Sequence, residues 1–79
     1  LSLFPNPSSD IVVVQSYSPT VCDLKIEMFD ANGKLILKDT LKQGSTMCYL
    51  KLETVYSGNY FVKISDDKNT ITKKIVIAR

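Results

Sequence analysis

The residues that most directly suggest chemistry are two cysteines, Cys22 and Cys48, in a chain of 79 residues that contains no histidine. The absence of histidine excludes Ser-His-Asp triads, Cys-His dyads and histidine metal ligands. The two thiols stand far apart in the sequence, so they form no CxxC redox or zinc motif. The three glycines, Gly33, Gly44 and Gly58, are isolated, so no glycine-rich phosphate loop is present. The sequence therefore predicts a protein that is not an enzyme.

The cysteines have two structural interpretations that the sequence leaves open. Cys22 is in phase with Leu24 and Cys48 with Leu50, so both side chains are expected to face the core of a β-protein. A disulfide between them would close a long loop and contribute roughly 3–4 kcal/mol in the chain-entropy description. Alternatively, both are buried free thiols that pack as small hydrophobic groups.

An acidic turn is the remaining candidate for a metal site. Asp66 and Asp67 lie in a polar segment with Asn69. A calcium loop needs acidic oxygens at several spaced positions and a late bidentate glutamate, and no such glutamate follows. We therefore expect no metal and no cofactor.

The charge is small in total but unevenly distributed. The net charge of +2 is too low to predict nucleic-acid binding. Residues 1–33 carry one lysine against four acids, net −3, whereas residues 34–79 carry nine bases against four acids, net +5. The second half of the chain is therefore either a surface for an acidic partner or anionic lipid, or a set of solvated strand faces. No apolar run approaches the roughly 18 residues of a transmembrane helix.

Turn signals divide the chain into strand-sized segments rich in Val, Ile, Leu, Tyr and Thr. These signals are Pro5-Asn6-Pro7, Ser18-Pro19, Asn32-Gly33, Gly44-Ser45, Ser57-Gly58 and Asp66–Asn69. Many short strands with regular turns predict an all-β sandwich or barrel. At this length we expect one small domain, residues 1–79, and the absence of an initial methionine indicates a fragment of a longer precursor.

Periodicity assigns faces to several of the predicted strands. Apolar residues alternate over Leu24–Met28, Leu50–Leu52 and Tyr60–Ile64, as one buried face requires. The segment Ile11–Val14 is apolar on both faces, which indicates either a central strand or a strand covered on both sides. Asn32-Gly33 predicts a two-residue type I′ hairpin, because both residues tolerate positive φ.

The prolines near the start of the chain restrict how that segment can pair. Pro5 and Pro7 lack N–H donors, so we expect this segment to pair only at the edge of a sheet.

Four segments, in this order, resemble the C-terminal sorting domain of the type IX secretion system: Phe4–Pro7, Ile26–Lys34, Gly58–Ile64 and Lys73–Ile77. The resemblance implies an immunoglobulin-like β-sandwich at the C-terminus of secreted cargo in Bacteroidetes, and we expect an antiparallel β-sandwich of about seven strands. It also implies a non-catalytic signal recognised by the outer-membrane type IX translocon and, in many members, removed by a sortase-like peptidase. The cargo would precede this domain in the same chain, pass through the periplasm, and reach the cell surface or the medium.

The matching positions supply the candidate site residues. For translocon recognition these are Gly58, Tyr60, Lys73, Lys74, Ile75, Val76, Ile77 and Arg79, and the structural motif residues are Pro5, Asn6, Pro7, Asn32, Gly33 and Lys34. The cationic, β-prone segment around Lys73 and Lys74 predicts docking by strand addition. The alternative is a final strand whose lysines protect an edge.

A different function class stays open at this point. An immunoglobulin-like or fibronectin-like adhesive or carbohydrate-binding module, appended to a secreted enzyme, would share the same fold. A structural spacer between domains is the third alternative. Neither the cargo nor the cleavage site nor the oligomeric state can be predicted from these residues.

Overall fold

The computed structural model describes all 79 residues and consists of strands and turns without a helix. The seven strands are β1 (Ser2–Phe4), β2 (Ile11–Gln15), β3 (Leu24–Asp30), β4 (Leu35–Leu41), β5 (Met47–Lys51), β6 (Gly58–Ser65) and β7 (Thr70–Ile77). The prediction of a seven-stranded all-β sandwich is confirmed. None of the elements is a helix with the length and apolar character needed to cross a membrane.

Two antiparallel sheets form the sandwich. One has the strand order β1-β2-β5 and the other the order β4-β3-β6-β7. In the constant-type immunoglobulin arrangement the fourth strand lies beside the fifth. Here β4 pairs with β3 instead, because a short turn connects the two strands as a hairpin. The second sheet therefore has four strands, with β7 at one of its edges.

The core lies between the sheets and follows the predicted alternation. Ile26 and Met28 of β3 are fully buried, and β6 contributes the buried residues Val62 and Ile64. The central position predicted for Ile11–Val14 is confirmed, since β2 lies between β1 and β5. The buried cluster consists of Val12, Val14, Ile26, Met28, Leu41, Leu50, Leu52, Val55, Tyr60, Val62, Ile64, Ile75 and Ile77.

The turn between β3 and β4 differs from the predicted type I′ turn. The Gly33 N–H donates to the Asp30 carbonyl at 3.0 Å, and Gly33 alone in this turn has positive φ, at 85°. The Asp30 carboxylate accepts hydrogen bonds from the N–H groups of Asn32 and Lys34, each at 2.9 Å. This is the geometry of a three-residue loop with one left-handed glycine, and it is favoured because Asp30 binds the loop backbone.

Both cysteines are free thiols, so the disulfide alternative is wrong for this structure. Cys48 lies on β5 opposite Val14 and packs against the core, as its phase predicted. Cys22 precedes β3 and is half-buried beside Asp66–Lys68 without packing against the core, so the expectation that it faces the core is wrong. The two thiols therefore belong to different neighbourhoods, because the periodicity of β3 does not extend into the loop that holds Cys22.

Candidate recognition surface

Strand pairing brings the four sequence motifs together at one end of the four-stranded sheet. Tyr60 of β6 lies opposite Asp30 of β3 on one side and Ile75 of β7 on the other. Ser8, directly after the Pro-Asn-Pro segment, forms a parallel bridge with Ile77. The motifs are distant in sequence and become neighbours through the register of β3, β6 and β7.

The Pro5–Ser8 segment closes half of the outer edge of β7. The Ser8 N–H donates to the Val76 carbonyl at 2.9 Å, and the Ala78 N–H donates to the Ser8 carbonyl at 2.8 Å. The Asn6 carboxamide oxygen accepts a hydrogen bond from the Val76 N–H at 3.1 Å. The predicted edge pairing of the proline segment is thus present, with Asn6 and Ser8 as the residues that bond.

Ser8 is a structural residue that the sequence interpretation missed. It is 1% exposed, and its hydroxyl donates to the Pro5 carbonyl. Its backbone N–H and carbonyl form hydrogen bonds with Val76 and Ala78, the residues on either side of Ile77. The sequence feature that could have predicted this role is a small polar residue directly after a segment that lacks N–H donors. Such a residue supplies the first backbone groups that can pair with a neighbouring strand.

The candidate residues Gly58 and Tyr60 have structural contacts that explain their spacing. The Tyr60 hydroxyl donates to the Tyr56 carbonyl at 2.7 Å, and its ring is 7% exposed. A Cβ atom placed on Gly58 would meet the Tyr60 ring at 3.6 Å. Tyr60 therefore packs over Gly58 and fixes the segment that leads into β6.

Arg79 connects β7 to the loop between β5 and β6. Its guanidinium donates to the carbonyls of Leu52, of Glu53 at 3.3 Å and of Val55 at 2.9 Å. Its backbone N–H donates to the Ser57 hydroxyl at 2.9 Å. These bonds hold a segment that has no strand partner of its own, so Arg79 has a structural role in the fold.

The remaining candidates divide between the core and the surface. Ile75 and Ile77 are each 1% exposed and pack inside the sandwich, whereas Val76 points outward. Lys74 lies opposite Phe61 on the outer face of the sheet. Lys73 follows the inward phase of Ile75 but lies beyond the core, where its side chain lines a surface groove.

The other half of the β7 edge is open. The even-numbered residues of β7 direct their backbone groups away from β6, as the bonds of Val76 and Ala78 show. Thr72 and Lys74 follow the same phase and have no strand beside them. Between this edge and β1 runs a groove of about 530 Å³, lined by Leu1, Ser2, Leu3, Asn6, Tyr17, Lys73, Lys74 and Ile75. The arrangement can accept an extended peptide along Thr70–Lys74.

The chain matches a known protein family over almost its whole length. The family described as the secretion system C-terminal sorting domain matches residues 2–78. No curated protein sequence matches the chain. The family match spans all seven strands and the four motifs that meet at the end of the four-stranded sheet. The chain belongs to the family of C-terminal sorting domains of the type IX secretion system.

Proposed function

We propose that this domain directs a cargo protein, placed before it in the same chain, through the outer-membrane type IX translocon. The family supports a sorting signal rather than a catalytic domain, with secretion to the cell surface or the extracellular space. In this proposal the cargo passes through the periplasm, and a sortase-like peptidase then removes the signal and releases or attaches the cargo.

The observation that carries the finer proposal is the half-closed edge of β7. A strand that adds to this edge gains backbone hydrogen bonds from Thr72 and Lys74. It cannot continue along Val76, because the bonds from Asn6 and Ser8 already occupy that position. Recognition is therefore confined to about five residues, Thr70–Lys74, which favours a weak and reversible contact.

Two lysines give this edge a charge preference. Lys74 lies on the outer face and Lys73 lines the groove towards β1, so an added strand meets a cation on each of its faces. Side chains of an extended peptide alternate between the two faces. We infer that the translocon strand carries acidic residues on both faces, because like charges opposite each other destabilise pairing.

The proposed function is tested by fusing residues 1–79 to the C-terminus of a periplasmic fluorescent reporter in a type IX-competent host. Reporter at the surface or in the medium, dependent on a working translocon, supports the sorting role. A reporter that stays in the periplasm although the domain is folded contradicts it. The adhesive module would then be the better interpretation, and glycan screens would follow.

The edge itself is tested by Thr72→Pro in the same reporter. The Thr72 N–H points away from β6, so proline removes a donor from the open edge without removing a bond of the sheet. Met47→Pro is the matched control, because Met47 starts β5 and its N–H faces outward at another edge. We expect export to fail with Thr72→Pro and to continue with Met47→Pro. Equal export of both folded variants would contradict strand addition at β7.

A further inference from the structure

We propose that the outer face of the four-stranded sheet is a second docking surface, for an acidic protein surface that places an apolar side chain against Phe29 and Phe61. This face adjoins the β7 edge and shares Lys74 with it, but the proposal does not depend on strand addition there.

An apolar row crosses this face. The register places Leu35, Phe29, Phe61 and Lys74 side by side on β4, β3, β6 and β7. Leu35 is 43% exposed and Phe61 is 38% exposed, while Phe29 between them is half-buried. Four strands span about 14 Å, so the row is a continuous apolar stripe that ends at an ammonium group.

Lysines border this row. The neighbouring row consists of Lys38, Glu27, Lys63 and Thr72, and Lys25 lies beyond Glu27 on the same strand and face. Glu27 is the only acid in these two rows, its side chain is 15% exposed, and its carboxylate lies 3.8 Å from the Lys25 ammonium. Asp23, Asp66 and Asp67 lie beside Lys25, so that end of the face is not positively charged. With Lys74 at the end of the apolar row, the two rows carry three lysines against one glutamate, a net charge of +2.

Charge complementarity identifies the kind of occupant. A second copy of the chain meeting this face through a two-fold axis would set lysines against lysines, which opposes association. A purely anionic surface would satisfy the lysines but leave the apolar row without a partner. An acidic surface with one protruding apolar residue satisfies both features.

The size of the face predicts a weak complex. Four strands about 14 Å wide and some 20–25 Å long offer on the order of 300 Å², well below the ~800 Å² per partner of a stable interface. Such a contact is transient, with association rates that depend on salt.

The other outer face of the sandwich provides an internal control. There Phe4 and Tyr49 flank Val13 in one row, and Val13 between them is only 8% exposed. The charged neighbour on that face is Lys51, opposite Ile11. That face therefore combines an apolar row with little charge, and an electrostatically guided partner should not bind it.

Binding is tested by amide NMR titration of the 79-residue chain with a short peptide that has a central tryptophan flanked by aspartate and glutamate. We expect shifts at Phe29, Phe61 and Lys63, with smaller changes at Tyr49, and weakening as salt rises. Three comparison probes are the peptide with serine for tryptophan, the peptide with asparagine and glutamine for its acids, and vesicles containing phosphatidylglycerol.

Two variants and a control decide the outcome. Lys63→Glu and Lys38→Glu should each weaken peptide binding roughly fivefold, because attraction is replaced by repulsion, whereas Lys51→Glu should change it less than twofold. Amide spectra verify the fold of each variant. The proposal is overturned if no shifts appear on this face, if the uncharged peptide binds equally, or if the vesicles bind and the acidic peptide does not.

Discussion

The Asn6 carboxamide accepts a hydrogen bond from the Val76 N–H across 70 residues of sequence, at 3.1 Å. This bond continues the pairing that Ser8 makes with the same strand. A residue near the start of the chain thereby covers an edge that would otherwise present unpaired backbone groups. The Pro-Asn-Pro motif is thus an edge-closing element of the last strand.

Replacing Asn6 with alanine should lower the free energy of unfolding by about 1 kcal/mol, the usual net contribution of one hydrogen bond. Asn6→Asp keeps an acceptor oxygen and should lose less. Asn59→Ala is the control, because Asn59 is exposed on β6 opposite Val76. Urea denaturation of the three variants checks this, and equal stability of Asn6→Ala and Asn59→Ala would contradict the role of the bond.

Gly33→Ala should destabilise the domain by about 1 kcal/mol, because alanine is strained at the φ of +85° that the turn requires. A Cβ atom there would meet nothing within 4 Å, so the cost is conformational and not steric. Gly33→Asn should cost less, since asparagine tolerates the left-handed region. Thermal unfolding of both variants measures the difference, and an alanine variant as stable as the wild type would refute the assignment.

The sequence predicted the regular part of the fold better than its connections. The alternation in β3 and β6 follows from local chemistry, so the buried residues Ile26, Met28 and Val62 could be assigned without a structure. The turn type could not be assigned in this way, because it is determined by the Asp30 carboxylate, which lies outside the Asn32-Gly33 pair. Local sequence patterns do not show which oxygen atom accepts the hydrogen bond of a given backbone N–H.

The candidate site was predictable in outline only. The motif residues around Lys74 could be placed on a final strand, but the division of that strand into a closed and an open half depends on contacts with Asn6 and Ser8. The burial of Cys48 followed from its phase, whereas Cys22 lies in a loop where no phase applies. Long-range pairing and loop geometry were the missing information.

The thiol of Cys48 should be unreactive near neutral pH. The pKa of Cys48 is raised from 9.0 to about 11. Partial burial of the thiol is the largest cause, and the charge of Asp39 and a hydrogen bond to its carboxylate add to it. At pH 8 roughly one molecule in a thousand then carries the reactive thiolate. Alkylation of the Cys22→Ser variant across pH 7–11 measures this. Asp39→Asn should lower the pKa and speed the reaction, and an unchanged profile would contradict the role of Asp39.

The same group makes stability depend on alkaline pH. The folded pKa of Cys48 lies above the unfolded value, so its contribution to stability is fully present below pH 9 and is lost as pH rises through 11. Comparing the wild type with Cys48→Ala by urea unfolding at pH 8 and pH 10.5 isolates this effect. We expect the difference between the two proteins to shrink at the higher pH, and a constant difference would refute the linkage.

The turn between β6 and β7 should lose stability in acid. The N–H groups of Lys68 and Asn69 donate to the Asp66 carboxylate at 2.8 and 2.7 Å, and these bonds lower the pKa of Asp66 below 3.8. Its contribution is present above pH 3.8 and is lost as pH falls through the lower folded value. We expect Asp66→Ala to be less stable than the wild type at pH 7 and the two to converge in acid. Asp67→Ala is the matched control.

Arg79 should stabilise the loop between β5 and β6 through the geometry of its guanidinium. A single nitrogen of the side chain, Nη1, donates to the carbonyls of Leu52, Glu53 and Val55, so its two N–H groups are shared among three acceptors, and the rigid planar group holds that nitrogen between them. Arg79→Lys keeps the charge, but its ammonium nitrogen ends one bond short of the Nη1 position on a more flexible stem, so we expect it to recover only part of the roughly 1–2 kcal/mol lost in Arg79→Ala.

The ion pair that Arg79 forms with Asp10, at 3.9 Å, should contribute little, because the Asp10 side chain is 87% exposed. Asp10→Asn is therefore the control for charge, and it should leave the free energy of unfolding nearly unchanged. Hydrogen exchange gives the local readout. The Val55 amide bonds to the Leu52 carbonyl at 3.0 Å, and its exchange should accelerate in Arg79→Ala before global stability fails. If Arg79→Lys exchanged like the wild type and Asp10→Asn like Arg79→Ala, the stabilisation would be electrostatic and the hydrogen-bonding role of the guanidinium would be wrong.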